Sequence, residues 1–107
     1  MKHELAFTFL ACADVKRVWE AIAMPSAPWA DDSTERVASA DAFAKRLAHH
    51  CDLLAANPEV GRPRDDLAHG LRSSGFERYK IFYRVRGERI EVVRLLRADR
   101  DVTTVAA

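Results

Sequence analysis

Cysteine is scarce in this chain of 107 residues: Cys12 and Cys51 are the only two, and neither has a metal-type neighbour at short spacing. That excludes a disulfide framework and a zinc knot. Both cysteines lie in apolar, helix-like surroundings and read as reduced core residues of a cytoplasmic protein. No run approaches the ~18 apolar residues of a membrane span, and the N-terminus lacks a secretory pattern, so no membrane partner is expected. His49 and His50 are adjacent and point about 100° apart on a helix, which prevents them from clamping one metal. His3 and His69 have no partner in sequence, so neither metal nor cofactor is expected. After Tyr83 there is no further Tyr or His at all. Internal repeats and low-complexity segments are also missing.

What is present is material for one core. Hydrophobic residues make up 49% of the chain, enough to bury a single domain spanning residues 1–107. The net charge of +1 conceals an asymmetry. Residues 1–57 carry six basic and eight acidic side chains, whereas Arg72 to Arg100 include nine basic and four acidic ones. A basic structural unit of this kind either meets an acidic partner surface or solvates one sheet face with arginines.

The order of elements follows from periodicity. Leu5, Phe7 and Phe9 alternate with polar or small residues, as in a strand with one buried face. Asp14 reads as a helix cap before Val15, Val18, Trp19, Ile22 and Ala23, and Pro25 and Pro28 stop that helix. A second helix starts at Asp32, where Asp32 and Glu35 have capping-box spacing, and its stripe is Val37, Ala40, Ala44, Leu47, Ala48, Cys51, Leu54 and Ala55. Asn57-Pro58 ends it, giving an antiparallel helix hairpin. Residues 59–70, with Gly61, Pro63 and Gly70 among charges, read as loop. Three strands follow, over residues 71–77, 79–85 and 90–96, with a tight turn at Arg86-Gly87-Glu88. The fold class is therefore α+β: an N-terminal strand, a helix hairpin and a three-stranded antiparallel sheet.

Strict alternation across the last hairpin sorts the side chains into two faces. Ile81, Tyr83 and Val85 share one with Ile90, Val92 and Arg94; Lys80, Phe82 and Arg84 share the other with Glu91, Val93 and Leu95. The first is expected against the helices. The second is expected to lie open, with Phe82, Val93 and Leu95 as an apolar cluster framed by charges on which a partner lies.

Asn57-Pro58-Glu59-Val60-Gly61-Arg62-Pro63-Arg64, Gly70-Leu71-Arg72-Ser73, Arg78 to Val85 and Arg89 to Leu96 are, in that order and at those separations, similar to the ParE branch of the RelE/ParE toxin superfamily. The likeness covers roughly residues 42–101. It implies a strand, a helix hairpin and an antiparallel sheet, as read independently above. It also implies a toxin that binds and poisons DNA gyrase, held in a hetero-oligomer by a ParD-like antitoxin, with DNA binding left to the antitoxin. Arg97 stands where many relatives carry a His, and the connection from Pro25 to Asp31, with Trp29 in it, is longer than usual.

The alternative within the same fold is a RelE-like ribosome-dependent ribonuclease, and a module of this fold without toxicity is a third reading. RNA cleavage needs a base, an acid and cations for the phosphate. Arg72, Arg78, Arg84, Arg94 and Arg97 supply cations, but no acid–base pair accompanies them, and Tyr83 is expected in the core. Asp65 and Asp66 read as solvated, and Arg62 and Arg64 as loop residues. No catalytic residue is therefore assigned. The residues expected to bind antitoxin or gyrase are Arg72, Arg78, Lys80, Phe82, Arg84, Val93, Arg94, Leu95 and Arg97.

Overall fold

The first strand, β1 (Glu4–Phe7), pairs with the last of the described strands. In the computed structural model, which describes residues 2–25 and 27–99, it is followed by α1 (Phe9–Ala23), α2 (Ser33–Ala56), a 3-10 turn at Pro58–Val60, β2 (Arg62–Pro63), β3 (Arg72–Phe76), β4 (Tyr79–Arg86) and β5 (Arg89–Arg97). The strands form one sheet in the order β1-β5-β4-β3-β2, with β1 parallel to β5 and the other pairs antiparallel. The expected α+β class is what is seen, with two differences in the sheet. The N-terminal strand joins it, and the two-residue β2 extends it where the sequence reads as loop. Pro63 is tolerated there because β2 is an edge strand, where a missing backbone donor costs little.

Helix α1 begins earlier than Asp14. Thr8 caps it, its hydroxyl accepting the amide of Ala11 at 3.1 Å. Asp14 is instead a buried residue in mid-helix. Helix α2 starts after Asp32 as expected, although the Asp32 side chain makes no capping hydrogen bond. Its buried stripe is Ala40, Phe43, Leu47, Cys51, Leu54 and Ala55. Phe43 anchors the far end, packing against Phe76 and Tyr79 at centroid distances of 5.6 and 5.7 Å. Val37 and Ala48, expected in the stripe, are exposed. Cys51 is in the core, whereas Cys12 is exposed on α1.

A β-bulge decides which residues of β5 face the helices. Val85 pairs with Ile90, Arg84 with Glu91 and Tyr83 with Val92, but then Phe82 pairs with Arg94 and Ile81 with Leu95. Val93 has no residue opposite it. Up to Val92 the faces are those expected from alternation. Beyond it the phase shifts by one, so Leu95 joins Ile81, Tyr83, Ile90 and Val92 in the helix-side core.

The opposite face is not open. Phe82 has no exposed surface and forms a second small core with Leu71 and Leu96. Leu67, Ala68 and Val93 pack against it. Something does lie on this face, and it is the chain's own segment 64–71. The expectation of an accessible Phe82–Val93–Leu95 cluster is therefore corrected for two reasons: the loop covers Phe82, and the bulge turns Leu95 inward.

Candidate functional site

Gly61 and Tyr83 fix the loop that follows α2. The Tyr83 hydroxyl accepts the Gly61 amide at 2.8 Å and donates to the Pro58 carbonyl at 2.7 Å. Burial pushes the phenol pKa up. A Cβ on Gly61 would lie 2.1 Å from the Tyr83 oxygen, so the glycine of this motif is required by close approach of the ring. Arg72 completes the arrangement, donating to the Gly61 carbonyl at 2.7 Å and the Glu59 carbonyl at 3.3 Å. Tyr83 and Arg72 thus shape the Pro58–Arg62 turn, and the phenol points into protein, away from any incoming phosphate.

A second group forms where α1 meets β5. β1 ends at Phe7, and α1 takes over the exposed edge of β5 with side chains. The Thr8 hydroxyl donates to the Val93 carbonyl at 2.8 Å, and Asp14 accepts the Leu95 amide at 3.0 Å. Asp14 also accepts from Arg94 Nε at 2.7 Å and Nη2 at 3.0 Å, and from Arg17 Nη1 at 3.2 Å. Burial acts to raise the Asp14 pKa, but the bonds from Arg94 and the Leu95 amide, with the charges beside them, outweigh it and hold the carboxyl below its ordinary range. Arg94, Arg17 and Arg97, with Tyr79 and Val18, line a cleft of about 390 Å³ at this corner.

The remaining expected residues are spread out. Arg84 forms an ion pair with Glu91 across the hairpin at 2.8 Å, and Arg86 approaches the same carboxylate at 3.5 Å. Lys80 shares their side of β4 and is partly exposed, and Val93 is partly buried beside Phe82. Arg78 is exposed in the β3–β4 turn, and Arg97 pairs with Asp99 at the end of β5. The nine residues therefore divide into the Tyr83-side turn (Arg72), the outer face (Lys80, Arg84, Val93 over buried Phe82), the α1 cleft (Arg94, Arg97 over buried Leu95) and the Arg78 turn.

Asp14 and Arg17 were missed. The available signal was position: Asp14 lies three residues after Ala11 and four before Val18, on the buried stripe of α1, where a lone acid needs a partner. His50 is held between α2 and β3 by Ser74 at 2.9 Å and by the Phe76 ring, a structural position. Among the described residues no group of three or more His, Cys, Asp or Glu side chains is placed to hold a metal, and no helix is long and apolar enough to cross a membrane.

Comparison with known proteins agrees with this architecture. Residues 6–102 match the family model described as the ParE toxin of the type II toxin–antitoxin system parDE. Toxin ParE1 of Mycobacterium tuberculosis is 40% identical over 67 residues, covering 62% of this chain and 68% of that one. Toxin ParE3 of Caulobacter vibrioides is 40% identical over 43 residues, covering 40% and 43% of the two chains. Among solved structures, a chain of the chromosomal ParDE TA system from P. aeruginosa superposes with a TM-score of 0.69 at 18% identity, covering 92% of this chain and 98% of that one. A chain of the RelBE2 toxin–antitoxin complex from Mycobacterium tuberculosis gives 0.55 at 19% identity, covering 91% and 99%. These two show a shared fold. With the family model matched over residues 6–102 of 107, the chain belongs to the ParE toxin family of type II toxin–antitoxin systems.

Proposed function

We propose that this ParE-type toxin acts by binding and poisoning DNA gyrase and is neutralised in a hetero-oligomer with a ParD-like antitoxin, without catalysis and without binding DNA directly. The observation that carries the non-catalytic part is the state of Tyr83 and Arg94. The phenol is buried between the Gly61 amide and the Pro58 carbonyl, and Arg94 is held by Asp14. The phenol is therefore not placed to serve a scissile phosphate as acid or base, and Arg94 is anchored where it stands with no acid–base partner beside it among the described residues. Family membership supports the toxin role, and the basic excess between Arg72 and Arg100 suits an acidic protein surface. Arg78, Lys80, Arg84 and Arg97 are the side chains of the expected set with surface to offer such a partner. Phe82 and Leu95 act from beneath, by holding that surface in shape.

Purified protein should inhibit gyrase supercoiling and raise the amount of cleaved DNA. Unaltered supercoiling at large excess of folded protein overturns the target. Codon-specific cuts in messenger RNA on translating ribosomes would favour RelE-like chemistry instead.

A further inference from the structure

The cleft between α1 and the end of β5 has the construction of an oxyanion receptor. Its inner wall is Arg94, whose side chain is 16% exposed, and the carboxylate that orients it is 1% exposed. A guanidinium carries five N–H donors. Asp14 takes those of Nε and one of Nη2, and among the described residues no acceptor meets the Nη1 pair. A buried acid that fixes an arginine from behind holds the remaining donors in place before any ligand arrives, which is how supporting hydrogen bonds tune a recognition site. Arg17 and Arg97 stand at the rim, with side chains 70% and 56% exposed. Arg94 and Arg17 therefore share the Asp14 carboxylate, and Arg97 pairs with Asp99 at the outer edge, so three guanidiniums face two carboxylates. The rest of the wall, Val18, Ala21, Tyr79 and Leu96, is largely apolar.

We propose that this cleft receives a carboxylate side chain of a partner protein, flanked by apolar residues, with Arg94 as its fixed donor and Arg17 and Arg97 as its gate. The inference rests on the reading that the chain works by binding another protein. Two features favour a protein carboxylate over a nucleic-acid phosphate. The apolar wall suits the neighbours of an acidic residue in an amphipathic segment, and a phosphodiester track requires a run of cations. The helical half of the chain, residues 1–57, has eight acids against six bases and repels a polyanion lying along it.

The test is titration of the ¹⁵N-labelled full chain, following the Arg94 and Arg17 side-chain N–H resonances. The probes are a blocked tripeptide with glutamate between two leucines, its glutamine counterpart and inorganic phosphate. The glutamate peptide should give a saturable shift, with the glutamine peptide about tenfold weaker or more. R17Q and R97Q, both at exposed positions, should each weaken the glutamate peptide by at least roughly threefold and leave the fold unchanged. No saturable shift, equal binding of the glutamine peptide, or unchanged affinity in both variants overturns the subsite. Tighter binding of phosphate than of the glutamate peptide also overturns it, in favour of a phosphodiester ligand. Gyrase inhibition by the unaltered chain is read separately: a chain that inhibits gyrase and ignores the peptide loses the subsite alone.

Discussion

Asp14 and Arg94 are 80 positions apart in the chain and share two hydrogen bonds, at 2.7 and 3.0 Å. The same carboxylate takes the Leu95 amide, so one side chain ties α1 to the strand just beyond its bulge. Asp14→Ala leaves Arg94 and that amide without their acceptor. It should cost about 3–5 kcal/mol, the range for breaking a largely buried pair. Asp14→Asn keeps an acceptor and should cost less. Urea unfolding of the three proteins checks the order, and an Asp14→Ala loss below about 1 kcal/mol, ordinary for a surface pair, is incompatible with it.

Gly61→Ala should destabilise the domain by about 2 kcal/mol or more, because the new methyl occupies the place of the Tyr83 hydroxyl and overpacking of this kind is expensive. Tyr83→Phe removes the hydroxyl and leaves the Gly61 amide and the Pro58 carbonyl unmatched, at about 1–3 kcal/mol. The two changes touch the same atoms, so their combination should cost less than the sum of the singles. Additive losses in thermal or denaturant melts would show that the ring has moved away from Gly61.

Phe82→Ala should cost about 3–5 kcal/mol, as for a buried aromatic. Lys80→Ala and Arg78→Ala should stay within about 0.5 kcal/mol of the parent. In an assay with antitoxin or gyrase, the two cation variants should weaken binding while remaining fully folded. The Phe82 variant should lose binding in proportion to its unfolded fraction. A folded Phe82→Ala protein of unchanged stability would mean that segment 64–71 does not cover the ring.

Acid should weaken the fold in two stages. Burial, followed by the charge of His49, holds the His50 pKa below 6.5. The unfolded chain takes up that proton first, so this contribution is whole above pH 6.5 and shrinks as pH falls toward the lowered folded value. Asp14, below its ordinary 3.8 when folded, contributes fully above that pH and loses its effect as pH drops through the lowered value. His50→Gln should flatten the stability profile between roughly pH 7 and 5 and leave the acid limb in place. A profile unchanged by the substitution removes His50 from the account.

Thiol labelling offers a simple check on α2. Burial raises the Cys51 pKa to about 11, with the charge of Asp52 adding to it, while Cys12 is exposed. One equivalent of an alkylating reagent should react quickly with the folded protein, at Cys12. Rapid reaction of both would place Cys51 outside the core.

The sequence was most legible where periodicity is uninterrupted and least legible where one residue breaks it. The second helix, the three C-terminal strands and the core positions of Tyr83, Ile90 and Val92 follow from spacing alone. The fate of Leu95 does not, because nothing in Arg89 to Arg97 marks Val93 as the residue without an opposite number. The burial of Phe82 was hidden for a different reason: segment 64–71 has the composition of a solvated loop, and three of its residues, Leu67, Ala68 and Leu71, make it a lid over Phe82. Asp14 was misplaced because capping and burial both attract aspartate, and the contact that decides between them lies on the last strand.

The pairing of β1 with β5 also sets a timetable for synthesis. Thr8 and Val93 meet across 85 positions, and β1 has no strand to lie against until β5 has left the ribosome. A nascent chain reaching only β4 has its hairpin helices and lacks the strand that carries Ile90, Val92 and Leu95 into their core. Such long-range closure is slow compared with local helix formation. The corner where Arg94 meets Asp14 therefore forms only after β5 has emerged, and fragments that stop at β4 arrive without it.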